Sequence, residues 1–212
     1  MSPFRRIDDL RQQSPGGADP GAAEAAAGAT PVEQRLTKPV VLVGLMGAGK
    51  TAVGRRLAAL SGVSFVDADE AIVEAAAMSI PDIFEVYGEQ AFRDLERRVV
   101  ARLIGQPPGI LALGGGAFID PRTRAALAGR TVTIWLEADL ATLIGRTAKK
   151  LTSRPLLMQG DPEAILADLM ARRYPIYAEA DHRVLTGDQP LDEVAEQVIE
   201  LLRRERVLLD GE

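Results

Sequence analysis

The segment Gly44-Leu45-Met46-Gly47-Ala48-Gly49-Lys50-Thr51 constrains this chain more than any other feature, because it lies between the apolar run Val40-Val41-Leu42-Val43 and a helical pattern. Successive backbone N–H groups of a glycine-rich loop can surround an anion only where side chains do not intrude. The positive end of the helix behind them adds to the attraction. The glycine, lysine and threonine spacing is that of a phosphate-binding loop, in which Lys50 reaches the β- and γ-phosphates and the Thr51 hydroxyl ligates Mg²⁺. Average residue usage gives the pattern by chance in roughly one chain in a hundred of this size, and a strand-to-helix placement is rarer still. Gly47, Ala48 and Gly49, with Lys50, Thr51 and Ala52 at the start of the helix, are therefore the expected nucleotide site.

The rest of the chain supplies the sheet that such a loop needs. Val63-Ser64-Phe65-Val66, Ile110-Leu111-Ala112-Leu113, Thr131-Val132-Thr133-Ile134-Trp135-Leu136 and Arg183-Val184-Leu185 are further strand candidates. All but the last are too apolar to alternate, which predicts buried parallel strands covered on both faces. Between them the apolar periodicity predicts helices. One runs from Lys50 to Leu60, with Val53, Leu57 and Leu60 on one face and Gly62 just past its end. Another spans Gln90 to Leu103, and a last one Pro190 to Arg206 with Leu191, Val194, Val198, Leu201 and Leu202 in register. Asp120-Pro121 and Asp161-Pro162 each read as an N-cap followed by proline at the first helical position. The βαβα order predicts a doubly wound α/β fold with right-handed crossovers and a ligand crevice at the carboxyl ends of the strands.

Composition removes several competing chemistries. With no cysteine and a single histidine, His182, in 212 residues, a disulfide, a thiolate nucleophile and a zinc finger are excluded. The formal net charge of −5 argues against a nucleic-acid-coating surface, so an anion site must be local. No apolar run approaches the length of a membrane span. Residues 1–36 carry an Ala/Gly/Pro stretch from Ala18 to Pro31 without periodic apolar order, and read as a disordered tail preceding a single domain over 37–212. Without an apolar core after Arg5 and Arg6, a secretory signal is not expected, and a cytoplasmic location is.

A carboxylate is needed beside the phosphate loop, and the second strand runs into Asp67-Ala68-Asp69. If the chain is still extended there, the two side chains alternate in direction, one facing the Mg²⁺ shell and the other an acceptor hydroxyl that it could orient or deprotonate. The plainer alternative for Asp69 is a cap on a helix starting at Glu70.

With these residues in view, the chain resembles the shikimate kinases, a family of small phosphate-loop kinases. The resemblance runs from Val41 to about Leu202. It is carried by the phosphate loop, Asp67-Ala68-Asp69, Ser79-Ile80-Pro81-Asp82-Ile83-Phe84, Gly88-Glu89, Phe92-Arg93-Asp94-Leu95-Glu96, Gly114-Gly115-Gly116-Ala117, Arg154-Pro155-Leu156-Leu157 and Arg173-Tyr174-Pro175-Ile176-Tyr177. It implies a five-stranded parallel sheet in the order 2-3-1-4-5 and ATP- and Mg²⁺-dependent phosphorylation of the 3-hydroxyl of shikimate on the way to chorismate. It further implies that Lys50 holds ATP phosphates, that Thr51 and Asp67 serve Mg²⁺, and that Asp69 contacts the attacking hydroxyl. Arg93 and Arg173 resemble the pair that grips the shikimate carboxylate, with Glu96 behind Arg93, and Gly115 and Gly116 would offer backbone N–H groups to the same substrate. Arg154 would reach the phosphates as a catalytic residue and Arg146 would lie against adenine, flanking a mobile lid over about 147–160. The expected partner is the small-molecule substrate, with no nucleic acid and no membrane, and the expected state is a monomer.

The residue types suit these roles. Arginine's planar fork matches a carboxylate bidentately, and a glutamate three residues on can hold the guanidinium in one orientation. Plainer readings stand beside them: Arg93 as a solvated helix residue, the triple glycine as a left-handed turn, Thr147 to Gly160 as a surface loop, and Met46 as core. The alternatives at the level of function are another small phosphate-loop kinase acting on gluconate or a nucleoside monophosphate, and a nucleotide-dependent switch. The chain has no guanine-specifying Asn-Lys-x-Asp for the latter.

Overall fold

The computed structural model describes residues 35–148 and 160–210. Five parallel strands form the main sheet: β2 (Val40–Val43), β3 (Phe65–Asp67), β4 (Ile110–Ala112), β5 (Val132–Glu137) and β6 (His182–Leu185), in the spatial order β3-β4-β2-β5-β6. Numbered within that sheet alone, this is the 2-3-1-4-5 order expected. Val40 of β2 stands opposite Ile110 of β4 on one side and Val132 of β5 on the other, so the strand before the phosphate loop is the middle of the sheet. Its four residues are buried on both faces, as the continuous apolar run requires. At the edge the pattern changes: β6 buries Val184 and exposes Leu185, the alternation of a strand covered on one face.

The helices are α1 (Lys50–Ser61), α2 (Ala68–Ala76), α3 (Ile80–Leu103), α4 (Pro121–Leu127), α5 (Leu140–Ala148), α6 (Pro162–Tyr177) and α7 (Leu191–Arg204). Local signals set their ends. The carboxylates of Asp120 and Asp161 accept from the N–H groups of Arg122 and Glu163, each followed by proline in the first turn. Gly62, with φ 69°, closes α1 in the left-handed region. The helix expected from Gln90 to Leu103 forms the second half of α3, and the element as a whole begins at Ile80, where the Ser79 hydroxyl caps it. It is broken at Gly88, whose φ of 80° and ψ of 171° belong to no helix.

Four other expectations are corrected. Arg35 and Leu36, assigned to the tail, form a short strand, β1, antiparallel to β7 (Leu208–Leu209), and Leu36 is buried. The domain therefore starts by Arg35, and its first and last strands close on one another. Leu60 does not share the buried face of α1; Gly54 and Ser61 do, with Val53 and Leu57, because Gly54 must pass under the Phe65 ring. Thr147, assigned to the lid, lies inside α5, buried, with its hydroxyl donating to the Leu143 carbonyl. Finally, α7 begins at Leu191, itself exposed, and ends at Arg204. Lys149, Lys150, Arg154, most of the expected lid and residues 1–34 lie outside the described residues. Among the described residues no helix is long and apolar enough to cross a membrane.

The β1–β7 closure yields a test. A chain starting at residue 35 retains β1, whereas one starting at residue 37 loses it and uncovers the buried side of Leu208. Thermal denaturation of the two truncations should give a lower midpoint for the second, and Leu36→Ala in the full chain should cost about 2 kcal/mol. Equal midpoints would show that the strand pair contributes nothing to stability.

Candidate active site

The phosphate loop joins β2 to α1 at the carboxyl edge of the sheet. Gly44, Gly47 and Gly49 have φ of 141°, 86° and 94°, so the backbone reversals that line up the loop's N–H groups rest on residues without a Cβ. At Gly47 a Cβ would also meet the Thr147 side chain at 2.9 Å. The Lys50 ammonium folds over the loop and donates to the carbonyls of Gly44 and Leu45 at 2.8 and 2.9 Å. That holds a positive charge at the mouth of the loop. Met46 packs partly buried against the main core, as expected.

Thr51, in the first turn of α1, donates its hydroxyl hydrogen to Asp67 Oδ2 at 2.7 Å. The other oxygen of Asp67 accepts from the Asp69 N–H at 2.9 Å, which makes Asp67 the N-cap of α2. Both readings of the Asp67/Asp69 pair are thereby corrected. The chain turns helical at Ala68, so the two side chains do not alternate along a strand, and the capping role considered for Asp69 belongs to Asp67. A hydroxyl and a single carboxylate oxygen, adjacent and partly buried, form a donor set that suits Mg²⁺, which takes few protein ligands and leaves the rest to phosphate and water. Consistent with so sparse a set, no three acidic or histidine side chains gather into a metal cage among the described residues.

Asp69 itself is free of cap duty and faces the glycine segment after β4. A Cβ at Gly114 would stand 2.6 Å from Asp69 Oδ1 and 3.1 Å from Glu96 Oε1, and one at Gly116 would stand 2.6 Å from the Arg93 guanidinium. None of Gly114, Gly115 and Gly116 has a positive φ. The left-handed turn that the sequence allowed is absent, and Gly114 and Gly116 lack a side chain because charged groups press against the backbone there. Gly115 joins the two halves of the site: a Cβ there would lie 3.5 Å from the Met46 N–H nitrogen of the phosphate loop and 3.8 Å from Arg173.

Arg93 lies in the second half of α3, beside the buried stripe of Phe92, Leu95 and Val99. Its guanidinium donates to Glu96 Oε2 at 2.8 Å and to Glu89 Oε1 at 3.3 Å, and it stands over the Phe92 ring. Glu96 is 3% exposed, so this ion pair is held out of water, and Arg93 is not a solvated surface residue. Burial opposes the charge on Arg93, but Glu96 and Glu89 hold its pKa above the ordinary value. Burial raises the carboxyl pKa of Glu96 against the pull of Arg93. Burial raises Asp69 as well, with Asp67 adding to the rise, while Lys50 and Arg93 pull it down. Arg173, from α6, donates to the Gly115 carbonyl at 3.1 Å.

On the far side of the loop, Arg146 of α5 donates to the Gly47 carbonyl at 3.4 Å, the Thr186 hydroxyl at 3.3 Å and the Gly187 carbonyl. This brings the segment after β6, where Asp188-Gln189-Pro190 follows, beside the phosphate loop. Thr186, unmarked by any sequence signal, ties the same segment to the Ala48 and Glu137 carbonyls. Tyr177 was also missed; it is fully buried and donates to the Gly115 carbonyl. Its signal was present, four residues after Arg173 on the same helix face. The structure thus gathers Lys50, Thr51, Asp67, Asp69, Arg93, Gly115, Gly116 and Arg173 around one crevice, with Arg146 on its opposite rim.

Comparisons with known proteins agree. The family model described as shikimate kinase matches residues 46–203. A shikimate kinase of Paramagnetospirillum magneticum is 49% identical over 183 residues, covering 86% of this chain and 93% of the relative. The solved structure of a shikimate kinase from Acinetobacter baumannii in complex with shikimate superposes with a TM-score of 0.76 at 36% identity, covering 80% of this chain and 95% of that one. A gluconokinase from Sinorhizobium meliloti, at 15% identity and a TM-score of 0.53, shares the fold alone.

Replacing Asp69 tests the electrostatics. An acid whose pKa is raised on folding destabilises the folded state; the effect is full above the raised pKa, shrinks as pH falls through it and is gone below the unfolded value. Asp69→Asn should therefore raise the thermal midpoint at pH 7, with the gain shrinking as pH approaches the carboxylate range. A lower midpoint at pH 7 would mean that the charge is stabilised where it stands.

Proposed function

The chain belongs to the shikimate kinase family, and on that premise we propose how its own residues divide the transfer of the γ-phosphoryl group of ATP to a hydroxyl of shikimate. The observation that carries this reading is the contact at Gly115, where the phosphate loop meets a pocket walled by Asp69, Arg93 and Arg173. A donor and an acceptor bound on either side of that residue are neighbours.

Backbone N–H groups from Gly47 to Ala52 and the Lys50 ammonium receive the phosphates. Lys50 exchanges its bonds to the Gly44 and Leu45 carbonyls for phosphate oxygens, so its charge moves only a short way. Thr51 and Asp67 would hold Mg²⁺, which supplies charge neutralisation between the β- and γ-phosphates when bound. Asp69 accepts a hydrogen bond from the attacking hydroxyl, orients its lone pair, and takes the proton as the new O–P bond forms and the bond to the ADP leaving group breaks. Its raised pKa makes it a better proton acceptor than an exposed aspartate. Arg93, fixed by Glu96, and Arg173 grip the shikimate carboxylate, joined by the N–H groups of Gly115 and Gly116. Arg146 is placed for the adenine side. Arg154 is assigned to the phosphates by sequence resemblance.

The assay that tests the substrate is ADP release with and without shikimate; release that shikimate does not stimulate would refute the assignment. Lys50→Met should abolish turnover while leaving the fold intact, because the lysine's charge serves the transition-state phosphate rather than core packing. Near-normal turnover by the folded variant would remove Lys50 from the mechanism. Asp69→Asn should cut turnover about 10²-fold or more and spare ATP binding. Removing Arg93 should cost about 2–5 kcal/mol in shikimate binding or transition-state affinity. Arg93→Lys should fail almost as badly, because an ammonium lacks the bidentate geometry. Shikimate methyl ester should lose affinity for the wild-type enzyme to a similar degree but add little further loss in Arg93→Ala. Additive losses would show that Arg93 does not bind the carboxylate.

A further inference from the structure

The carbonyl of Gly115 accepts two hydrogen bonds from one helix: Arg173 donates at 3.1 Å and the Tyr177 hydroxyl at 2.5 Å. A carbonyl oxygen has two lone pairs, so this one is saturated. Among the described residues Tyr177 is the largest fully buried side chain, with its ring centroid 6.2 Å from that of Trp135, 6.3 Å from Phe118 and 6.3 Å from Tyr174. The ring cannot swing away, and its hydroxyl is directed at a backbone atom of the glycine segment 62 residues distant in sequence. Burial drives the phenol pKa up to about 12, so the group is a donor throughout any assay range.

Two consequences follow from holding that oxygen. The Gly115–Gly116 peptide is trans, so the N–H of Gly116 points, within the peptide plane, away from the Gly115 carbonyl. Fixing the carbonyl toward α6 fixes that N–H toward the other side, and Gly116 is the residue against which the Arg93 guanidinium rests. The same oxygen also anchors one nitrogen of Arg173. A glycine triplet has no side chain with which to hold its own conformation, and its intrinsic freedom is the largest of any residue type. Rigidity at this point must be supplied from outside.

We propose that Tyr177 is a positioning residue of the shikimate site: through the Gly115 carbonyl, its hydroxyl fixes both the Gly115–Gly116 peptide and the Arg173 guanidinium against the substrate carboxylate. This rests on the substrate site assigned above. Tyr177 touches no substrate, so its contribution is confined to acceptor affinity and does not extend to ATP.

The test compares two tyrosines on one helix. Tyr177→Phe removes only the hydroxyl and keeps the ring packing. Tyr174→Phe removes a similar hydroxyl, bonded to the Ala138 carbonyl rather than to the glycine segment. Tyr177→Phe should raise the KM for shikimate about 3- to 10-fold, the range for losing one hydrogen bond, with the KM for ATP unchanged. Tyr174→Phe should lower the thermal midpoint by a similar amount and leave the shikimate KM alone. KM does not depend on how much of the enzyme is folded, so the comparison holds even if Tyr177→Phe lowers the yield of active protein. In an Arg173→Ala background the Tyr177→Phe effect should shrink, because part of what the hydroxyl positions is already gone. A shikimate KM within twofold of wild type, a parallel rise in both KM values, or an equal rise in Tyr174→Phe would overturn the proposal, as would full additivity with Arg173→Ala. If instead Arg173→Ala itself left the shikimate KM unchanged, the site assignment would fail rather than the role of Tyr177.

Discussion

Parallel pairing of β2 with β4 and β5 is the constraint on which the site depends. Parallel strands end together, so the loops after β2, β3 and β4 must emerge at one edge of the sheet however far apart they lie in sequence. The phosphate loop, Asp67 and the triple glycine are therefore neighbours by topology before any side chain is placed. What side chains add is distance control. The Thr51–Asp67 hydrogen bond ties α1 to β3 across the mouth of the crevice, and the Asp67 cap starts α2 at the position that turns Asp69 toward Gly114. One carboxylate uses one oxygen for each task.

The electrostatics of the crevice oppose stability. Three carboxylates, Asp67, Asp69 and Glu96, influence one another in a partly dry space, and burial raises the latter two. Lys50 and Arg93 compensate incompletely. Charges held this way are poorly solvated, so a ligand that offered a hydrogen-bond donor to Asp69 would satisfy a group that the fold leaves under-served. Binding and local strain are linked through the same few atoms.

Sequence reading recovered what is local or dictated by periodicity. The phosphate loop, the aspartate–proline helix starts, the glycine end of α1 and the buried central strands were all legible, because each is specified within a few residues. The β1–β7 pair was not, since two residues carry no periodic signal and their partner lies more than 170 positions away. The start of α3 was missed because Gly88 interrupts the pattern. Leu60 was misassigned because a glycine, not an apolar residue, occupies the buried face next to Phe65. At the site, residue types pointed to the right positions and sometimes to the wrong reason. Gly114 and Gly116 suggested a left-handed turn, whereas the constraint is steric and comes from Asp69 and Arg93, 45 and 23 positions upstream. Tyr177 was marked only by its spacing from Arg173, and Thr186 not at all, because both act on backbone carbonyls rather than on side chains.

The break at Gly88 divides the molecule's cooperativity. Ala71, Ile72, Ile83, Phe92, Leu95 and Val99 form a small apolar cluster separate from the main core. It holds α2 and the first half of α3 to the second half of that helix. A helix interrupted at φ 80° loses the hydrogen-bond continuity that would couple its halves, so residues 80–87 are secured by that cluster rather than by their own helix. Amide hydrogen exchange should find this segment opening as a unit of its own, held by the packing of Ile83 in that cluster, while Val40–Val43 should exchange only on global unfolding. Residues 80–87 can thus open without disturbing the strand that carries the phosphate loop.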